Sequence, residues 1–133
     1  MNDLPPDECV TRFIQQAQRL GIEIKLTSNG MSRLNAAYHA FNDRPGLILI
    51  KDSNLQQNSK KICTLLAHEM VHVLQHWHGQ LKAVPPLGWP IEKSPPGRHL
   101  SRQEREAYAA QNNPQKVLRA VENLRPIPIQ DSP

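Results

Sequence analysis

The sequence predicts an α+β domain, in which one helix precedes a small sheet and further helices follow it. Three observations support this fold class. Apolar residues recur at helical spacing up to Gly21, strand-like apolar runs are grouped between residues 22 and 50, and a long helical pattern occupies about 59–78. Because the strands are grouped and do not alternate with helices, the pattern is typical of an α+β fold.

The length of 133 residues suits one compact domain. We assign residues 1–125 to that domain and the proline-rich stretch 126–133 to a C-terminal tail. Aromatic residues make up only 5% of the chain, so the core is expected to be small and aliphatic.

The first helix is expected to begin at Pro5-Pro6-Asp7, with proline and an acidic residue in its first turn, and to end at Gly21. Three strands follow: Ile22–Thr27, Leu34–Phe41 and Leu47–Ile50. The second contains alanines, which weaken its strand pattern, and the third is apolar throughout, which indicates a mostly buried strand. Turn residues separate them: Asn29-Gly30 and Asn42–Gly46.

A long helix of about 59–78 comes next, capped by Asn58 or Ser59 and ended by Gly79. Residues 79–99 hold five prolines and three glycines and predict an irregular connection. Two short helices are expected after it. The first begins at Ser101, with Glu104 completing a capping box, and runs to about Asn112. The second runs from Pro114 to about Leu124.

The chain is mildly basic, with a net charge of +4 and a pI of about 9.3. Its lysines and arginines are scattered, so we expect no nucleic-acid partner. No apolar stretch approaches transmembrane length, and no membrane partner is expected. Cys9 and Cys63 are too few for a disulfide framework, and we expect both to be reduced core residues in a cytoplasmic protein. The oligomeric state stays open.

The segment His68-Glu69-Met70-Val71-His72 is an H-E-x-x-H motif within the long predicted helix. Two histidines four residues apart lie on one helical face, so their imidazoles can bind one zinc ion. Glu69 lies roughly 100° round the helix. It can reach a water molecule at the ion and act as general base. The motif therefore predicts a zinc-dependent hydrolase.

The pattern of the helix agrees with this assignment. Leu65, His68, His72 and His76 fall on one side, with Glu69 at its edge. The opposite half is apolar and suited to packing on the sheet. We expect His76 to be solvated or to support a ligand. A stabiliser of the developing oxyanion could be any of three residues, among which the sequence does not select: Tyr38, Arg98 and His99.

The third ligand has three candidates. His78 has the metzincin spacing, but Gln75 stands where that pattern needs glycine. Glu104 and Glu106 lie on the next predicted helix, with Glu104 32 positions after His72. Glu104 could equally serve only as part of the capping box.

The combination of H-E-x-x-H with E-x-E-A-x-x-A at Glu104–Ala110 resembles compact gluzincin peptidases, notably the ImmA/IrrE-type peptidases that cleave repressors. It is also similar, more loosely, to the mitochondrial peptidase that matures an ATP-synthase subunit. The resemblance covers about residues 45–112. It implies that Glu104 is the third zinc ligand and that the substrate is a protein or peptide. It also implies that the strand Leu47–Lys51 is the sheet edge that pairs with substrate and that the loop 79–99 flanks the cleft.

This chain departs from the family at one position. The family has Asp or Asn four residues after the ligand glutamate, bonded to a ligand histidine, whereas this chain has Tyr108. Two alternatives to a peptidase therefore stay open: a catalytically weak zinc-binding regulatory or interaction module with the same fold, and a metal-free helical interaction protein. The expected cofactor of the peptidase and of the zinc-binding module is Zn²⁺.

Overall fold

The computed structural model describes residues 4–27, 35–51 and 58–127. Within these ranges it contains four helices and one three-stranded sheet, which confirms the α+β fold class. The helices are α1 (Pro6–Leu20), α2 (Ser59–His78), α3 (Arg102–Ala110) and α4 (Pro114–Glu122). The strands are β1 (Glu23–Thr27), β2 (Ala36–Phe41) and β3 (Arg44–Lys51). The expected turn at Asn29-Gly30 lies outside the described residues.

The sheet has the order β1-β3-β2. Strand β1 pairs with β3 in parallel, and β2 pairs with β3 in antiparallel orientation. The prediction that Leu47–Lys51 forms the sheet edge is therefore wrong: this segment belongs to the central strand. Apolar character on both faces, with Ile48 and Ile50 buried and Leu47 and Leu49 half-buried, shows that this strand is covered on both faces, as the sequence indicated. Its central position is seen only in the pairing with a strand on each edge.

The turn between β2 and β3 is shorter than the sequence predicted. Only Asn42 and Asp43 form it, and Asp43 adopts a φ of 65°, a value that asparagine and aspartate tolerate well. Strand β3 already begins at Arg44. Gly46 is needed here because a Cβ atom would lie 2.4 Å from the ring of Tyr38, which crosses it.

Helix α2 is the central element, since it packs against α1, α3, α4 and strand β2. The side chain of Asn58 caps its first turn by accepting a hydrogen bond from the Lys61 amide. Helix α1 buries one stripe against it and ends at Gly21, whose φ of 79° suits glycine. The apolar core consists of α2 residues together with these from the rest of the described chain: Cys9, Phe13, Ala17, Leu20, Ile22, Ile48, Ile50, Ala107, Ala110, Val117, Leu118 and Val121.

No helix in the described ranges combines the length and the apolar character needed to cross a membrane.

Cys9 and Cys63 are buried as expected, but the expectation that they are reduced is wrong. They form a disulfide that joins α1 to α2 across 54 residues of sequence, with their Cα atoms 5.7 Å apart. The pairing arises from the packing of two distant helices, so neither spacing nor composition indicated it. With the cysteines paired, they no longer support the expected cytoplasmic location.

We predict that the protein, denatured without reductant, contains no titratable thiol. The double variant Cys9→Ala/Cys63→Ala should be less stable, because a cross-link over a loop of this length restricts the unfolded chain by on the order of 4 kcal/mol. Urea unfolding of the variant and of the unmodified protein measures this difference. Two reactive thiols in the unreduced, denatured protein would contradict the pairing.

Candidate metal centre

Three side chains converge between α2 and α3. The Oε1 atom of Glu104 lies 3.2 Å from Nε2 of His68 and 2.5 Å from Nε2 of His72. The three potential ligand atoms all lie within 4.8 Å of one another, and together they could hold one metal ion. The site is therefore built from two imidazole nitrogens and one carboxylate oxygen.

The two helices place these groups by ordinary local rules. His68 and His72 are one turn apart on α2, and their ring centroids are 5.2 Å apart. Glu104 lies in the first turn of α3, which Ser101 caps by accepting a hydrogen bond from the Glu104 amide. The backbone half of the predicted capping box is present, whereas the Glu104 carboxylate is turned to the histidines.

The outer nitrogens of both imidazoles are also engaged. Nδ1 of His68 lies 2.8 Å from Oε1 of Gln111, and Nδ1 of His72 lies 2.8 Å from Oε1 of Gln75. An amide oxygen only accepts, so each Nδ1 donates its hydrogen. With both Nδ1 atoms engaged as donors, Nε2 is the nitrogen of each ring that faces the shared centre. Metal-binding histidines in proteins are held in this manner.

The electrostatics of the three groups are coupled. Hydrogen bonds from His68 and His72 hold the pKa of the Glu104 carboxyl well below its usual range, although partial burial opposes this. Burial alone would lower the pKa of His72, but the hydrogen bond with Glu104 and the charge of Glu69 outweigh it and raise that pKa. The site therefore favours an ionised carboxylate facing positive charge, whether that charge is carried by imidazolium or by a metal ion.

Glu69 is 5% exposed and lies beside the converging histidines. Burial raises the pKa of its carboxyl, while the two histidines and a hydrogen bond donated by the backbone N–H of Tyr38 oppose the rise. A carboxylate with a raised pKa holds a proton more readily than an exposed glutamate does, which is the property required of a general base.

The site opens into a cleft of about 410 Å³. One wall is the edge strand β2 with the residue that precedes it, and the floor is α2. Its lining residues are Asn35, Ala36, Ala37, Tyr38, Thr64, Leu65, His68, Glu69, His72, Glu104, Tyr108 and Gln111.

The other two candidates for the third ligand lie elsewhere. His78 is exposed at the last residue of α2, and the helix continues through Gln75, as the missing glycine predicted. Glu106 is fully buried and accepts hydrogen bonds from the backbone of the loop 79–99. Only Glu104 of the three candidates is grouped with the two histidines.

His76 does not share the exposed face predicted for it, because it is only 1% exposed. Its Nε2 donates to the Phe41 carbonyl at 2.8 Å, so its Nδ1 accepts the hydrogen of the Tyr38 hydroxyl at 2.6 Å. The same hydroxyl accepts from the Gly46 amide at 3.0 Å. The Tyr38 hydroxyl is therefore committed to linking β2 and β3 to α2, and burial raises its pKa.

The remaining oxyanion candidates are not in the main cleft. Arg98 lines a second cavity of about 260 Å³, which shares Tyr108 and Gln111 with the main cleft, and His99 is exposed. The ring of Tyr108 stands edge-on to His68, with centroids 4.6 Å apart. Tyr108 thus packs against His68, and Gln111 supplies the hydrogen-bond acceptor for Nδ1 of that histidine.

Sequence reasoning missed Gln75 and Gln111 as partners of the histidines. Gln75 is three residues after His72 on the same helix, a spacing at which side chains meet, and that signal was available. Gln111 follows the last residue of α3, so its approach to His68 depends on how α3 packs against α2, which the sequence does not specify.

The donor set fits a transition metal of the zinc type. Two neutral imidazoles and one carboxylate are the ligands of known catalytic zinc sites, whereas magnesium and calcium prefer oxygen alone. His68, His72 and Glu104 would hold the ion, and Gln75 and Gln111 would fix the two rings.

Neither a protein-family model nor a curated protein nor a solved structure matches this chain. What stands of the resemblance to gluzincins is the group of His68, His72 and Glu104, with its His-x₃-His spacing and a glutamate from a second helix.

We predict that Glu104→Ala lowers the affinity for zinc sharply. The loss should exceed the roughly 10- to 100-fold that is typical of removing a residue that only hydrogen-bonds to a metal ligand. The loss should be larger because one of only three ligands is removed. Isothermal titration of the metal-free protein with zinc measures the affinity.

His78→Ala is the matched control for Glu104→Ala. It removes an exposed imidazole from α2, the helix that carries His68 and His72, and we expect its zinc affinity to equal that of the unmodified protein. A reversed result, with loss in His78→Ala and retention in Glu104→Ala, would contradict the assignment of Glu104.

Proposed function

We propose that this protein is a zinc-dependent metallopeptidase that hydrolyses peptide bonds. The observation that carries the proposal is the position of a buried carboxylate, Glu69, beside a group of two histidines and one glutamate, in a cleft whose wall is the edge of a sheet. Those three parts are the metal ligands, the general base and a surface for an extended chain.

When bound, a zinc ion supplies a Lewis acid that lowers the pKa of water to about 7 and polarises a carbonyl group. The protein's own part is the movement of a proton. Glu69 accepts the hydrogen of the attacking water at its carboxylate, and it returns that hydrogen to the nitrogen of the leaving amine. The backbone N–H of Tyr38 orients the carboxylate while it does so.

The edge strand β2 is suited to binding an extended peptide. Its Tyr38 N–H points away from β3, because it donates to Glu69. Backbone groups in an antiparallel strand alternate in direction, so the N–H and carbonyl groups of Ala36 point to the same open side. A peptide added along this edge at Ala36 would lie in the same cleft as the three ligands.

We predict that Glu69→Gln retains zinc and the fold but reduces peptide hydrolysis by at least about 10²-fold, because the amide keeps the shape and cannot accept the proton. Zinc-loaded protein is incubated with a mixed peptide library, and cleavage products are counted by mass spectrometry. Glu23→Gln, at an exposed glutamate of β1, is the matched control and should cleave normally.

Cleavage that persists in Glu69→Gln would assign the base to another residue. Zinc binding without cleavage by the unmodified protein would favour the alternative of a regulatory or interaction module.

A separate prediction tests the edge strand. Ala36→Pro replaces an outward N–H with a ring that projects into the cleft, at the first residue of a strand, where proline is tolerated. We expect the KM for peptides to rise several-fold while kcat and zinc content stay unchanged. An unaltered KM would show that substrate does not pair with this edge.

A further inference from the structure

A second glutamate of α3, Glu106, is completely buried on the side of the helix away from the cleft. Its carboxylate accepts hydrogen bonds from three successive backbone N–H groups of the loop 79–99. Leu87 donates to both oxygens at 2.8 and 3.0 Å, Gly88 donates at 2.9 Å and Trp89 at 3.0 Å. A fourth donor is Nε2 of Gln75, at 2.9 Å. A buried carboxylate requires such a set of donors, so its position is firmly fixed.

The bond from Gln75 determines which way round its side-chain amide lies. Nε2 carries two hydrogens, and both have acceptors: Oε1 of Glu106 at 2.9 Å and the backbone carbonyl of Gln103 at 3.1 Å. Turning the amide over would place its oxygen against two acceptors. Oε1 of Gln75 is therefore the atom that faces Nδ1 of His72, at 2.8 Å.

We propose that Glu106 is a positioning residue which, through Gln75, fixes the tautomer of His72 that binds the metal. Since Gln75 presents an acceptor, Nδ1 of His72 is held as the donor, and the lone pair of Nε2 is directed to the centre between His68, His72 and Glu104. A carboxylate that does not touch the metal thus selects which nitrogen binds it. The proposal rests on the metal binding in the proposed function.

The carboxylate of Glu106 also connects His72, through Gln75, to the loop 79–99. Leu87 and Trp89 pack against the hydrophobic core, and their amides share Glu106 with Gln75. The order of the loop at 87–89 and the orientation of His72 therefore depend on one group. His68 has no part in this connection, because its Nδ1 donates to Gln111.

Glu106→Gln tests the connection with almost no change in shape. Oε2 accepts three backbone N–H groups, which cannot turn, whereas Oε1 accepts Gln75 and shares Leu87 with Oε2. The new amide nitrogen consequently takes the place of Oε1 and faces the amide nitrogen of Gln75. Two donors then oppose each other, Gln75 turns over or withdraws, and His72 loses its acceptor.

Two further variants separate this effect from general damage. Gln75→Leu removes the acceptor of His72 and leaves the three loop amides bonded to Glu106. Gln103→Ala is the matched control: it removes the bond from Gln103 Nε2 to the Val84 carbonyl, which also anchors the loop, and keeps the backbone carbonyl that Gln75 uses.

The measurements are zinc affinity by titration and the His72 Nδ1–H resonance in ¹⁵N-edited spectra of the zinc-saturated protein. Glu106→Gln and Gln75→Leu should each lose roughly 10- to 100-fold in zinc affinity. Both should also shift or lose the His72 resonance, while Gln103→Ala keeps the affinity and the resonance. If Glu106→Gln does not fold, Gln75→Leu decides alone.

Unchanged zinc affinity and an unchanged His72 resonance in Glu106→Gln or in Gln75→Leu would overturn the proposal and leave Glu106 a purely structural residue. A protein that binds zinc without cleaving peptides would remove the proposed peptidase function and still allow this test. A protein that binds no zinc at all would overturn both.

Discussion

The contact of the Glu104 carboxylate with the imidazoles of His68 and His72 is the interaction around which the described structure is organised. It joins the first turn of α3 to the middle of α2, and α2 in turn contacts every other helix and strand β2. A carboxylate facing two imidazoles is stable only where positive charge balances it, and a divalent ion supplies that charge as well as imidazolium does. The same geometry that joins the two helices therefore suits this group to holding a metal ion.

Helix α2 must bury polar groups in order to present the site, and each of them finds a partner. Across the described residues, no buried side-chain nitrogen or oxygen lacks a hydrogen-bond partner. His76 is satisfied by the sheet, Gln75 by α3, and Glu69 by the backbone of β2. Because an unsatisfied buried polar group costs about 1–3 kcal/mol, these bonds determine how α2 can pack. The hydrogen bonds that satisfy the polar groups of α2 therefore also fix how the helix packs.

The sequence was sufficient where a feature depends on local spacing. The pairing of His68 with His72, the extent of α2 and the cap at Ser101 all follow from helical geometry over a few residues. It was insufficient where distant elements meet. The disulfide, the central position of β3 and the partner of His68 on the far end of α3 depend on tertiary packing. His76 shows a third case: its helical face was predicted correctly beside the other histidines, but the sheet covers that end of the face.

The link from Tyr38 to His76 sets the width of the cleft. The Tyr38 hydroxyl joins β2 to α2 on one side, and the Tyr38 amide joins the same strand to Glu69 on the other, so β2 is attached to the helix at two points within one residue. Widening the cleft at Tyr38 to admit a folded surface would therefore require breaking both of these hydrogen bonds. Under the proposed function, the selection of substrates would then depend on whether a segment can enter the cleft as well as on its side chains. Under that function, a protein would become a substrate where it can release a single unpaired strand, so its local unfolding, more than the identity of its side chains, would determine where it is cut.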